Sequence, residues 1–237
     1  MYYVYKDNNS NFLTAVGFNT QNISPPDTIT CNSTIYNEIT SNGIIGWTYS
    51  GNDIFYPTDV SILNWNKQQN INSLKNDCTN SIYSGFNITI NGVHTTITLK
   101  EDNNTHDQTN ALMASMAAQG AMQKSGMWTA NTTYYTNSVI VSNSTYYVAF
   151  TSGTSGNTQP TFPTEFSVTI QDGTIQWYKM GFRISTANGV IIVDPPTAVS
   201  LFEQGLFFVN SQREKYGILK SQVMSANTVN DVNMITW

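Results

Sequence analysis

Apolar residues recur along the chain at two different spacings, which predict a mixture of helices and strands. Between residues 60 and 84 they return every three or four positions, a spacing that places them on one face of a helix. The same spacing predicts helices over residues 106–124 and 197–226, followed by a short helix that ends at Trp237. Between residues 128 and 178 apolar residues instead alternate over short runs separated by turn residues, which is typical of a small all-β module. The predicted fold class is therefore α+β.

Alternating residues on both sides of tight turns predict several β-hairpins. The clearest signal lies at residues 86–99, where apolar and polar residues alternate before and after Asn91-Gly92. A two-residue turn of this kind needs positive φ angles, which Asn and Gly tolerate best. Further hairpins are predicted at residues 2–18 and 182–193.

Four predictions concern where helices begin and which faces they bury. A short helix over residues 27–42 is expected to be capped by Ser33 or Thr34, and the helix over 106–124 by Thr105. The side chains expected on buried faces share a helical spacing: Leu112, Met116, Ala117 and Met122 on one helix, and Val199, Phe202, Leu206, Val209, Tyr216, Leu219 and Val223 on another.

Changes in the spacing of apolar residues along the chain predict three parts. Residues 1–59 form a β-rich attachment segment, and residues 60–126 together with 181–237 form a discontinuous helical domain with β-hairpins. Residues 127–180 form a small β module inserted into that domain. From its length of 237 residues, the chain is expected to form two small domains or one interrupted domain.

Composition narrows the classes of function. Charged residues make up 11% of the chain, which has ten Lys and Arg residues and fifteen Asp and Glu residues. Nucleic-acid binding depends largely on cationic side chains that contact phosphates, so a nucleic-acid partner is not expected. No apolar run approaches the roughly 18 residues that a membrane span requires, so none is predicted. Polar uncharged residues take the place of charges, which suits surfaces that contact protein or sugar through hydrogen bonds.

Few residues suggest catalysis or metal binding. His94 and His106 are the only histidines. His106 with Asp102 and Asp107 could hold a metal, but a helix start explains Asp107 more simply. Neither a phosphate-binding loop nor a dinucleotide fingerprint occurs. The sequence therefore predicts a protein that is not an enzyme and that uses no cofactor or metal.

Two stretches of the chain carry a resemblance. Residues 219–237 read LKSQVMSANTVNDVNMITW, in which a helix, a Thr-Val cap and a short helix lead to Ile-Thr-Trp, and residues 71–120 join two helices through a hairpin. The matching dipeptides in the second stretch are Gly85-Phe86 and Asp107-Gln108. Both stretches resemble a domain family of unknown function from tail fibres and tail-fibre assembly proteins of bacteriophages. The resemblance covers residues 60–125 and 181–237, and residues 1–60 more loosely resemble the front segment of tail-fibre assembly proteins.

The inserted module carries a second resemblance. Its motif residues are Trp128, Tyr146, Tyr147, residues 153–156, residues 160–163 and residues 172–177. This pattern resembles small modules of phage tail proteins, which are similar in outline to chitin- and cellulose-binding modules. The resemblance implies a module displayed at the surface, with a host-surface glycan as a ligand that it could bind.

Aromatic side chains of the insert are the candidate glycan platform, because sugar rings present apolar C–H faces that stack on flat aromatic rings. The candidates all lie in the insert: Trp128, Tyr134, Tyr135, Tyr146, Tyr147 and Trp177. Alternate residues of a strand face opposite sides, so part of this set could instead fill the small core of the module. The sequence leaves both alternatives open, and the structural role is the more expected one for the two tryptophans.

The main functional interpretation is a virion structural protein of the tail-fibre or baseplate region of a bacteriophage. Such a chain would be made in the host cytoplasm, reside in the virion and bind other tail proteins rather than catalyse a reaction. The alternatives are a tail-fibre assembly chaperone that caps the fibre and a carbohydrate-binding adhesin. A homo-oligomer is also left open, because narrow apolar stripes on helices suit a trimer as well as a helical hairpin.

Overall fold

The computed structural model of the chain describes residues 2–6, 12–18, 28–50, 53–90 and 92–237. These residues form helices and mostly antiparallel sheets, which confirms the predicted α+β class. The chain divides into two compact units, one made of residues 1–78 with 214–237 and the other of residues 79–213. The three-part division expected from the sequence has other boundaries and stays a prediction.

Helices make up much of the described chain. They are α1 (Ser33–Asn42), α2 (Asp59–Ser84), α3 (Asp107–Lys124), α4 (Pro195–Ser225) and α5 (Val229–Asn233). The chain passes from one unit to the other within α2 and again within α4. Among the described residues, none of the helices combines the length and the apolar character that crossing a membrane requires.

Among the described residues, five strands belong to the first unit. They are β1 (Tyr2–Lys6), β2 (Leu13–Phe18), β3 (Thr28–Cys31), β4 (Thr48–Ser50) and β5 (Asp53–Phe55). The first three form a sheet in the order β2-β1-β3, and β4 pairs with β5. The predicted hairpin of residues 2–18 is confirmed by the antiparallel pairing of β1 and β2, although its turn lies outside the described residues.

The helix predicted over residues 27–42 is only half correct. Its first part is strand β3, because alternating Thr and Ile side chains pair with β1, with Ile29 opposite Val4. The helix begins at Ser33 and is capped by Asn32, whose Oδ1 accepts a hydrogen bond from the backbone N–H of Ile35 at 2.9 Å. An Asn in this position satisfies a helical N–H as well as the expected Ser or Thr would.

Two apolar clusters hold the first unit together. One contains the buried side chains of Val4, Leu13, Ile29, Ile39 and Trp47. The other contains Ile71, Leu74, Val223 and Val232, which join α2, α4 and α5. A capping box precedes α5: Thr228 Oγ1 accepts from the N–H of Asp231, and the Asp231 carboxylate accepts from the N–H of Thr228. The apolar stripe predicted on α2 is confirmed by the burial of Ile71, Leu74, Cys78 and Ile82.

Eleven strands of the described chain belong to the second unit. They are β6 (Phe86–Ile90), β7 (Val93–Ile97), β8 (Gly126–Met127), β9 (Thr133–Tyr134), β10 (Val139–Ser142), β11 (Thr145–Ala149), β12 (Gly153–Thr154), β13 (Thr169–Asp172), β14 (Ile175–Lys179), β15 (Phe182–Thr186) and β16 (Gly189–Val193). They form a four-stranded sheet in the order β16-β15-β7-β6, a five-stranded sheet in the order β13-β14-β11-β10-β8, and the pair β12-β9. The predicted hairpins at residues 86–99 and 182–193 are confirmed, while Asn91 lies outside the described residues.

The face that α3 buries differs from the prediction. Its buried side chains are Ser115, Ala118 and Ala121, whereas Leu112 is 42% exposed and Met116 is 63% exposed. Small side chains bring the α3 backbone close to β15 and β10, so the larger side chains turn outward.

The predicted cap of α3 is also wrong. The residue at the N-cap position is His106, which makes no capping bond with its side chain. Glu101 takes over this role, since its Oε2 accepts from the N–H of Thr109 at 3.1 Å. The side chain that satisfies the helix start therefore comes from the preceding loop rather than from Thr105.

The buried side of α4 is confirmed in part. Val209 and Val223 are buried as predicted, but Leu206 is half exposed. In the second unit, the buried residues of α4 instead include Leu201 and Gly205. A side chain at Gly205 would come within 3.3 Å of the Phe86 ring, so glycine allows α4 to lie close to the sheet.

Candidate functional site

Residues 127–180, called the β module below, are built around a small aromatic core. Ile140, Tyr147, Ala149, Ile175 and Trp177 are buried together on one face of the five-stranded sheet. Successive residues of a strand point to opposite faces, so the alternating sequence of β11 and β14 sends one set of side chains into this core. The remaining set points to the opposite face of the sheet, and the more exposed residues of that face supply the candidate binding surface.

Asp172 connects residues of the core through hydrogen bonds. Its Oδ2 accepts hydrogen bonds from the indole N–H groups of Trp128 at 2.8 Å and Trp177 at 2.9 Å, and its Oδ1 accepts from the backbone N–H of Gly156 at 2.7 Å. The residue is only 4% exposed, so the carboxyl group is satisfied by these three donors rather than by solvent. Asp172 was expected only as part of a turn, and its spacing to Trp177 could have indicated this role.

Four of the six predicted platform residues contribute to the packing of the module. Trp177 and Tyr147 lie in its core, and Trp128 and Tyr134 pack against that core. The Tyr134 ring meets the Trp177 ring edge-on at 5.0 Å, and its hydroxyl oxygen accepts from the N–H of Thr129. The faces of the two core rings are therefore covered by protein, which is the structural alternative that the sequence left open.

Tyr135 and Tyr146, the other two predicted residues, lie nearer the solvent. Tyr135 is 72% exposed and stands in the loop after β9, where its N–H donates to Ser138 Oγ. Tyr146 is half-buried and lies on the outer face of the sheet, since it neighbours the core residue Tyr147 along β11. The structure thus separates the predicted set into core and surface members.

The outer face carries two aromatic residues that sequence reasoning missed. Phe150 follows β11 and is 59% exposed, and Tyr178 on β14 lies opposite Val148. The rings of Phe150 and Tyr178 meet edge-on with centroids 6.2 Å apart. Together with Tyr146 they define an aromatic face around the buried Val148. The alternation of Tyr146, Val148 and Phe150 was a signal that could have revealed this face.

Polar side chains border the aromatic face. Thr169 lies opposite Tyr178, and Gln171 lies opposite Gln176 on the neighbouring strand. Gln171 is oriented by a hydrogen bond from its Nε2 to the carbonyl oxygen of Gly173 at 2.9 Å, while Gln176 makes no side-chain hydrogen bond within the described residues. Rings next to amides and hydroxyls can bind a ligand that presents both apolar C–H groups and hydroxyl groups.

The residues considered for metal binding form a structural loop instead. Asp102 pairs with Lys100 at 2.9 Å and accepts from the N–H groups of Asn104 and Thr105. These contacts, the Lys100 bond first, lower the pKa of Asp102 to about 2. Within the described part of the chain, no three His, Cys, Asp or Glu residues group as a metal site would require.

The His106 side chain, beside that loop, hydrogen-bonds to neither of the two aspartates that were considered with it as metal ligands. His106 Nδ1 lies 3.0 Å from Glu101 Oε1. This hydrogen bond, followed by the N–H of Thr109, lowers the pKa of Glu101. The pair stands at the start of α3 and is largely exposed, so its geometry serves the helix start described above.

No protein-family model, curated protein sequence or solved structure matches this chain at a significant level. The resemblance to phage-tail domains therefore rests on the quoted motifs alone.

Proposed function

We propose that this chain is a virion structural protein of the tail-fibre or baseplate region of a bacteriophage, acting by binding rather than by catalysis. The motifs at residues 71–120 and 219–237 support this proposal through their resemblance to phage-tail domains. In this proposal the helices dock against other tail proteins, and the β module is displayed for recognition of the host. The exposed apolar side chains of α3 suit such docking, because a protein partner would remove them from water.

The aromatic face of Tyr146, Phe150 and Tyr178 is the observation that carries the recognition part of the proposal. Its rings and bordering amides match a sugar, which has apolar C–H faces and hydroxyl edges. The ligand class is therefore a host-surface glycan, bound on the outer side of the five-stranded sheet. This assigns binding to different residues from most of those predicted, with Tyr146 in common.

A glycan array with the full chain tests the recognition part. Phe150→Ala removes the most exposed ring of the aromatic face and should weaken binding about five- to tenfold, because stacking of one ring contributes roughly 1–1.5 kcal/mol. Phe55→Ala is the matched control, since Phe55 is 49% exposed but lies in the other unit. A chain that binds no glycan, or equal weakening by both substitutions, would exclude the aromatic face as the recognition site.

Mass spectrometry of purified phage particles tests the structural part. A virion protein should be found in intact particles at a constant ratio to the major tail proteins. Absence from particles, combined with failure of fibre assembly when the gene is deleted, would support the assembly chaperone instead. Binding to glycans without any association with a tail would support a separate adhesin.

A further inference from the structure

A half-open apolar cavity of about 120 Å³ lies between α3, α4 and the four-stranded sheet of the second unit. Its main apolar lining side chains are Ile97, Leu99, Ile184, Leu201, Phe202 and Val209. The cavity shares no residue with the aromatic face of the β module, so the proposed glycan binding does not involve it. An opening of this kind between packed elements is unusual, because protein interiors fill such space with side chains.

Small residues on both helices create the cavity. Ala111 on α3 and Ala198 and Gly205 on α4 line it, where a larger residue would fill it. The volume resembles that of the roughly 150 Å³ cavities that admit a benzene molecule and stay free of water. It is well below the roughly 300 Å³ or more of a pocket for a drug-sized ligand. The cavity therefore fits one large apolar side chain, such as that of Leu or Phe.

Two polar residues complete the lining. Gln108 donates from Nε2 to the carbonyl oxygen of Leu99 at 2.8 Å, and this bond leaves its Oε1 as a hydrogen-bond acceptor. Arg213 is exposed and, within the part of the chain that the structure describes, makes no ion pair or hydrogen bond. A guanidinium offers only donors and pairs well with a carboxylate. The cavity thus combines an apolar space, an acceptor and a cation.

We propose that this cavity binds the C-terminal residue of a partner polypeptide. The large apolar side chain of that residue would enter the cavity, its N–H would donate to Gln108 Oε1, and its α-carboxylate would pair with Arg213. A C-terminal residue carries these three groups on one α-carbon, so one small cavity with a single charged residue suffices to recognise it. This inference does not depend on glycan binding or on the location of the chain in a phage particle.

Three small molecules test the site on the full chain. N-acetylleucine mimics a C-terminal leucine, N-acetylleucinamide lacks the charge, and N-acetylglycine lacks the side chain. Methyl NMR signals of Ile97 and Ile184 should shift on titration with N-acetylleucine, more weakly with the amide, and not with N-acetylglycine. Equal affinity for N-acetylleucine and its amide would overturn the C-terminal assignment, because the carboxylate would then contribute nothing.

Two variants separate the roles of the charge and the cavity. Arg213→Gln should weaken binding of N-acetylleucine about three- to tenfold and leave N-acetylleucinamide unchanged, since a charge-assisted contact at an exposed position is worth about this much. Ala111→Leu should abolish binding of both by filling the cavity, whereas Ala117→Leu on the exposed side of α3 should not. Arg213→Gln changes an exposed side chain and no buried one, so it remains informative if Ala111→Leu fails to fold. An unchanged affinity in Arg213→Gln, or tighter binding of hexanoate than of N-acetylleucine, would overturn the proposal.

Discussion

Replacing Asp172 by asparagine should destabilise the β module while leaving its shape almost unchanged. The carboxyl group accepts from two indole N–H groups at one oxygen and from the N–H of Gly156 at the other. Asparagine has the same outline but only one acceptor oxygen. If that oxygen keeps the two tryptophans, the new NH₂ group faces the N–H of Gly156, and two donors meet at 2.7 Å.

The magnitude follows from these contacts. A hydrogen bond to a charged group contributes about 1.5–3 kcal/mol, one between neutral groups about 0.5–1.5 kcal/mol, and a buried donor without a partner costs about 1–3 kcal/mol. Asp172→Asn weakens two bonds and leaves one donor unpaired at a site that is 4% exposed. The two weakened bonds together cost about 2–3 kcal/mol and the unpaired donor about 1–3 kcal/mol, so the expected loss is about 3–6 kcal/mol in the free energy of opening of the module.

Hydrogen exchange of backbone amides is the suitable assay, because a chain with two units need not unfold in one step. The amide of Ala149, in a core strand, reports the opening of the module. Asp53→Asn removes the same charge at an exposed position in the other unit and should change this free energy by less than about 0.5 kcal/mol. A loss of less than about 0.5 kcal/mol in Asp172→Asn would refute the view that this carboxyl group holds the core.

Three further changes test other parts of the structure. The lowered pKa of Asp102 means that its stabilisation of the loop before α3 is fully present above about pH 4 and is lost as the pH falls through about 2; an NMR titration of its carboxyl carbon should show this midpoint. Gly85→Ala should cost more than about 2 kcal/mol in the free energy of unfolding of its unit, measured by hydrogen exchange, because its Cβ would overlap the Ile97 carbonyl group, whereas Gly43→Ala has open space and should cost about 1 kcal/mol. Thr228→Ala removes the cap of α5 and should lower the free energy of unfolding by about 1 kcal/mol in the same assay.

Local pattern was sufficient for most of the elements. The spacing of Leu74, Cys78 and Ile82 identified α2, and the alternation on both sides of Gly92 identified a hairpin. The helix α2 ends before Gly85, whose φ of +79° is a conformation that glycine adopts readily. These features depend on residues close in sequence, so a single sequence contains the necessary information.

Tertiary packing decided the features that the sequence left unpredicted. On α3 the apolar pattern favoured Leu112 and Met116 as the buried face, but the close approach to β15 selected Ser115 and Ala118. Hydrophobicity alone cannot reveal such a contact, because the small residues are buried for their close packing and not for the apolar area that they bury. The same holds for Asp172, whose role depends on Trp128, a residue 44 positions away.

The two sides of the module sheet should respond differently to substitution, and this separates stability from recognition. The core rings depend on Asp172 and have little freedom to meet a ligand, whereas Phe150, directly after β11, and Tyr178 on β14 are held mainly by backbone pairing and by contact with each other. Asp172→Asn should therefore reduce the stability of the module but leave the glycan affinity of the folded fraction unchanged. Phe150→Ala should do the opposite, because a ring that is 59% exposed contributes little to the core. If Phe150→Ala instead destabilised the module by as much as Asp172→Asn, the aromatic face would be a covering for Val148 and not a binding surface.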